Sequence, residues 1–314
     1  MSLDLLDAPL RLTWEIRGQD QKVLEEAELL KIADTLVDAG IFYLMLDGDP
    51  LLHSGLPSVI ESLTRCGCQI SVVVGAEDAE REALKRIPCA VNLLVDAAPW
   101  LAKENGLAGL EGHIAELKST DHALSLLWVP RAGQLHLLQP LLDICARLDL
   151  PRFKLPNYRI DANSEPQKPA GILQIEDLRQ LERALAEKPL ETGATALEVH
   201  DLFLWELIFP QGGGERSEYG GCQAGNSLGH ITWQGDLWPC SSWPQRLGSL
   251  LETDLEALWD SPERFAIRKE VAASPADCAG CRDFAICFGG CRGLALNCRQ
   301  DGGKRDLLCS GPRK

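Results

Sequence analysis

Eight of the twelve cysteines in this 314-residue chain fall between residues 222 and 309, and their spacing restricts what that stretch can become. Cys222 is followed by twelve residues to Gly235 and four more to Cys240. Then come Cys278-x2-Cys281-x5-Cys287-x3-Cys291, and Cys309 after seventeen further residues. Cys66, Cys68, Cys89 and Cys145 are scattered over the first 221 positions. The chain opens with two Asp and no basic n-region, so we expect a cytoplasmic protein. In a reducing compartment such a set binds metal rather than forming disulfides.

A cuboidal iron-sulfur cluster takes four thiolates, and a Cys-x-x-Cys turn delivers two of them with backbone N–H groups near the sulfur. Seven cysteines in this pattern exceed the needs of one cluster. Gly235 suits a tight hairpin turn before Cys240, and Gly289-Gly290 lets the backbone pass where a Cβ would crowd. Four-cysteine zinc ribbons are the alternative, but they pair two short knuckles. Here only one knuckle is short and the other gaps are irregular, which favours iron and sulfide.

The front of the chain has a different texture. Apolar runs at 10–16, 42–48, 69–75, 90–98, 123–130 and 152–160 alternate with amphipathic stretches at 25–39, 56–64, 78–86, 107–118 and 135–148. The first five are rich in Val and Leu without polar alternation, as in strands of a parallel sheet covered by helices, and RFKLPNYRI (152–160) reads as a sixth strand. Six such units predict an α/β partial barrel. A loop at 161–171, a helix at 175–186, a last strand at 195–201 and a helix at 202–209 follow. The Gly-rich segment 211–221 reads as a hinge, dividing a barrel (1–210) from a small cysteine-rich domain (211–314). Beyond it, two short strands at 227–233 and 236–240 turn at Gln234-Gly235, and a helix covers 255–259.

From Cys222 to Cys309 the chain resembles the SPASM domain, the auxiliary-cluster module of many radical S-adenosylmethionine enzymes that modify peptides and proteins. The resemblance lies in CQAG at the opening, the hairpin GDLWPC, LGSL (247–250) with its following ALW helix, and CFGGCR (287–292). It implies two clusters, [4Fe-4S] in the family pattern: Cys222, Cys240 and Cys291 on one, and Cys278, Cys281, Cys287 and Cys309 on the other. The first is then a ligand short, with an open iron or a non-cysteine ligand for which His230 is the nearest candidate. Cys298 falls outside the pattern and reads as a structural thiol.

A radical S-adenosylmethionine barrel carries Cys-x3-Cys-x2-Cys after its first strand. Here RGQDQKVLEEAELL follows, and no cysteine precedes Cys66. DGDPLLH (47–53) resembles an altered form of the family's GGEPLLH segment, with Asp47 and Asp49 changed, so S-adenosylmethionine binding is not expected. Cys66-Gly67-Cys68 precedes the third strand, at the wrong end of the barrel to substitute. His200 and Asp201 end a strand and read first as a satisfied polar pair.

A degenerate barrel with an intact SPASM domain resembles the SPASM-domain protein of the GeoRSP peptide-modification system. That implies a non-catalytic, cluster-bearing partner of a radical S-adenosylmethionine maturase, with a peptide substrate and a ferredoxin-type electron donor. The alternative is a peptide- or ligand-binding module whose metal is structural. A formal net charge of -15 speaks against nucleic acid. No run of 18 uncharged apolar residues predicts a membrane span.

Overall fold

The computed structural model describes residues 6–18, 22–76, 82–160, 171–209, 221–299 and 302–313. Seven strands of the front half pair in parallel and in chain order: β1 (Arg11–Glu15), β2 (Tyr43–Asp47), β3 (Gln69–Val74), β4 (Asn92–Asp96), β5 (Ala123–Leu127), β6 (Arg152–Leu155) and β7 (Ala196–Val199). Helices follow most of them, among them Glu26–Asp38, Leu56–Arg65, Gly106–Leu117, Leu138–Arg147, Ile175–Glu187 and Leu202–Ile208.

The apolar runs produce this arrangement because both sides of the sheet are enclosed. One side meets the helices: Leu12, Trp14, Leu46, Val72, Val95 and Phe153 are at most 1% exposed there. Helix Glu26–Asp38 offers Leu29, Ile32, Ala33 and Leu36 to that layer, at the spacing of one helical face. At its start the Glu28 carboxylate accepts the Glu25 N–H at 2.9 Å, satisfying an otherwise orphaned donor.

The opposite side forms the barrel interior, which is layered. Near the strand starts Tyr43 Oη donates to Ser71 Oγ (2.8 Å), Ser125 Oγ donates to Asn92 Oδ1 (3.2 Å), and Lys154 Nζ donates to Tyr43 Oη (2.9 Å). Above this polar layer Val73, Leu94 and Leu127, with Met45 against them, make a small apolar cluster separate from the main core. At the C-terminal ends of the strands stand Glu15, Asp47 and Asp96.

The sixth strand is shorter than expected. Pairing stops at Leu155, because Pro156 has no N–H to donate. The rest of the run, Pro156–Ile160, crosses as an unpaired strap to the cysteine-rich half, where Ile160 N–H donates to Ser241 O at 3.0 Å and Ser242 Oγ donates to Tyr158 O at 2.7 Å. The helix expected at 78–86 lies partly outside the described residues. The loop at 161–171 and the boundary at 211–221 lie almost wholly outside them.

The two expected short strands are present as β8 (Leu228–Ile231) and β9 (Asp236–Trp238), turned at Gly235 with φ +80°, and a short β10 (Gly248–Ser249) adds to β9. Nothing in the sequence marks where they dock. β8 pairs in parallel with β1, Arg11 opposite Leu228, so strands from both halves form one ten-stranded sheet, β10-β9-β8-β1-β2-β3-β4-β5-β6-β7. Trp259, 0% exposed, packs over this seam and its indole donates to Leu6 O at 3.2 Å.

Candidate metal centre

All twelve cysteines are free thiols. Cys222, Cys240 and Cys291 are electrostatic neighbours, as are Cys278, Cys287 and Cys309, and Cys281 lies one turn beyond Cys278. In the first group, Cys222 follows Gly221, whose φ of +75° and contact with the Phe288 ring leave no room for a Cβ. Cys240 ends the β9 arm, and Cys291 immediately precedes helix Arg292–Cys298. Burial and the neighbouring Cys222 push the Cys240 thiol up to about 12, and burial with Cys222, Asp306 and Cys240 pushes Cys291 well above its usual range. Cys240 and Cys291, buried near a further thiol, need a cationic centre to become thiolates.

In the second group Cys278 and Cys281 form the expected turn, with Cys281 N–H donating to Cys278 O at 3.1 Å. Cys287 ends the short helix Phe284–Cys287. The Cys278 thiol is pushed up to about 11 by burial, with Asp277, Cys287 and Cys309 adding to the shift. Backbone N–H groups already reach two sulfurs: Arg313 to Cys281 Sγ at 3.3 Å and Gly311 to Cys309 Sγ at 3.5 Å. Such bonds stabilise sulfur ligands of iron-sulfur clusters.

Between the groups the chain turns through three consecutive left-handed residues, Phe288, Gly289 and Gly290, which places Cys287 in one group and Cys291 in the other. A Cβ on Gly290 would stand 2.4 Å from Asp306 Oδ2. Arg268, buried, stands beside Cys222 of the first group, with Arg264 next to it and Arg292 following Cys291 in the chain. Arg268 Nη1 donates to Cys222 O (2.7 Å) and Ala224 O (2.8 Å), while its Nε and Nη2 have no partner, and Arg264 and Arg292 also carry an unpartnered Nε. Unsatisfied cationic donors beside thiols match an anionic cluster better than an apolar core. Among the described residues no three His, Cys, Asp or Glu stand close enough to hold a single metal ion. The backbone N–H groups on Cys281 and Cys309 sulfur and the buried Arg268 beside Cys222 are what fits an anionic iron-sulfur group.

The other candidates fall elsewhere. His230, level with Thr13 on β1, points into the barrel because its neighbour Ile231 and the flanking Leu12 and Trp14 point to the helix layer. Burial and Arg159 lower its pKa to about 3, and no thiol contributes to that shift. Cys298 ends a helix beside Ile160, Ile172 and Leu294. Cys66 and Cys68 sit just before β3, at the end opposite the mouth. His200 is exposed, and Asp201 caps helix Leu202–Ile208 by accepting from Phe203 and Leu204 N–H (2.9 and 3.0 Å). Asp47 pairs with Arg159 at 2.9 Å, and Glu15 is 3.4 Å from the same guanidinium. Asp49 is exposed in a left-handed turn. Arg159, Asp306 and Arg268 are the residues that reading the sequence missed. Their partners lie 112, 15 and 46 positions away, and no motif marks them.

Residues 222–282 match the SPASM family, described as an iron-sulfur cluster-binding domain. Among solved structures, Streptococcus suis SuiB aligns over 98% of this chain and 78% of its own at 16% identity, with a TM-score of 0.71. SuiB bound to its precursor peptide SuiA aligns over 98% and 77% at the same score. Native anSMEcpe with bound AdoMet and Cp18Cys peptide aligns over 95% and 94% at 14% identity, with a TM-score of 0.66. At these identities the likeness is one of fold. No curated protein matches the sequence. The fold is radical S-adenosylmethionine-like with a SPASM domain at its C-terminal end. No helix among the described residues is long and apolar enough to cross a membrane.

Proposed function

We propose, from a SPASM-type iron-sulfur domain joined to a radical S-adenosylmethionine-like barrel, that this chain is a cluster-bearing, non-catalytic partner of a radical S-adenosylmethionine peptide maturase. Cys222, Cys240 and Cys291 hold one [4Fe-4S] cluster with an iron left for another ligand, and Cys278, Cys281, Cys287 and Cys309 hold the second. Bound there, the clusters supply one-electron transfer from a ferredoxin-type donor. The protein's own groups orient the thiolates, donate N–H bonds to sulfur and set the buried Arg268 beside Cys222.

The observation that carries this reading is a division of labour within the fold. Thiols gather in two groups in the C-terminal half. The barrel mouth carries instead the Arg159–Asp47–Glu15 ion pairs, and no cysteine follows β1 before Cys66. The peptide-bound structures among its neighbours support a peptide as the shared substrate.

Anaerobic purification with iron, sulfide and zinc counts tests the cofactor, with about eight irons per chain expected. Incubation with S-adenosylmethionine and a strong reductant tests the role. No 5′-deoxyadenosine above background is expected, and turnover by the isolated chain would overturn the non-catalytic assignment. Zinc without acid-labile sulfide would favour a binding module with structural metal.

A further inference from the structure

We propose that the barrel mouth is a binding site for a cationic side chain of a peptide, arginine in preference to lysine, and that Arg159 of the strap fills it in the resting chain. That the ligand belongs to a peptide rests on the function proposed above; the site itself does not.

Three carboxylates, Glu15, Asp47 and Asp96, end β1, β2 and β4 and so face one opening. Arg159 meets two of them, Asp47 at 2.9 Å and Glu15 at 3.4 Å. Asp96 has only the Ala98 N–H, at 2.9 Å, and no cation within ion-pair distance among the described residues. Burial beside Asp47 raises its pKa to about 6. Arg159 and Arg131 both act on Asp96 from beyond that distance, so two guanidiniums stand against three carboxylates at the mouth.

An independent sign of a missing ligand comes from β8. His230 is 1% exposed, points into the same interior, and has a buried Nδ1 with no partner. A buried polar atom without a partner calls for an explanation, and a ligand at the mouth supplies one. A neutral imidazole nitrogen accepts an N–H, and a guanidinium offers five in a planar fork that also matches carboxylates. An ammonium satisfies fewer of these groups at once, hence the preference for arginine.

The strap shows how a peptide would lie there. Pro156–Ile160 belongs to no strand or helix and is held by the main-chain bonds of Tyr158 and Ile160 to Ser242 and Ser241, while Arg131 stacks on the Tyr158 ring at 5.0 Å. Main-chain bonds fix the path and one side chain enters the charged opening, the division found in peptide recognition generally. The Arg159 side chain is 33% exposed, against 14% for Glu15, so solvent and a competing ligand reach the guanidinium.

The test replaces Arg159 in the full chain, Arg159→Ala and Arg159→Gln, and titrates Nα-acetyl-L-arginine methylamide by calorimetry, with the glutamine analogue as neutral control. Both variants should bind the arginine amide at least about tenfold more tightly than the parent, as expected for restoring a charge-assisted bidentate pair. Adding Asp47→Asn should abolish that gain. If Arg159→Ala does not fold, the neutral and nearly isosteric Gln variant carries the measurement. Absence of binding by a folded variant, or equal binding of the glutamine amide, overturns the proposal. Neither result bears on iron content or 5′-deoxyadenosine formation, so the two proposals fail separately.

Discussion

The Asp306 carboxylate accepts the backbone N–H of Cys291 at 2.5 Å through Oδ2 and that of Leu308 at 2.7 Å through Oδ1. One buried side chain thus fixes the peptide of a first-group cysteine while anchoring the segment that leads to Cys309 of the second. Asp306→Ala should orphan both donors at a cost of about 1 to 3 kcal/mol each. Iron per chain and the unfolding midpoint should both fall, and an unchanged iron count would show that Asp306 does not hold the two groups in register.

The glycine beside it is equally constrained. Gly290 has φ +72° and no space for a methyl group, whereas Gly67, at φ +82°, has nothing within 4 Å of the place a Cβ would occupy. Gly290→Ala should therefore cost about 3 kcal/mol or more, strain and collision together, and Gly67→Ala only about 1 kcal/mol. Denaturant titration of the two variants measures the difference.

The grouping of thiols predicts how iron is lost. Cys240→Ser should remove one cluster and Cys281→Ser the other, each leaving about half the iron. Cys66→Ser and Cys298→Ser should leave iron and sulfide at the parent level. A single substitution that empties both sites would show that the groups load as one.

Asp96 carries a measurable pH signature. Its pKa is raised from 3.8 to about 6 by burial, so its folded form favours the proton. The stability it contributes is present below about pH 4 and is lost as pH rises through 6. Asp96→Asn should then stabilise the protein at pH 7.5 by about 1 to 2 kcal/mol, after allowance for its partial exposure, and by little near pH 4.5. Paired urea titrations at the two pH values test this. A site that keeps an unneutralised carboxyl at such a cost is what a cation-binding opening would retain.

Much of this is legible in the sequence, for a physical reason. Cys278, Cys281 and Cys287 act through spacing along the chain, and the Val- and Leu-rich runs announce the strands of the front half through local pattern. Both signals are short-range. The pairing of Arg11 with Leu228 is not, since a strand such as LGHI offers its edge without naming a partner. Arg159 reads as part of a strand because Phe153, Leu155, Tyr158 and Ile160 recur through RFKLPNYRI, and only Pro156 marks the place where pairing ends.

Because β8 lies on the edge of β1, the sheet of the front half takes its next strand from the cysteine-rich half. Oxygen damage or iron shortage that unravels the cysteine-rich half would strip β1 of that neighbour and bare the Leu12 and Trp14 layer beneath Trp259. The two halves of the chain would then lose stability together rather than one after the other.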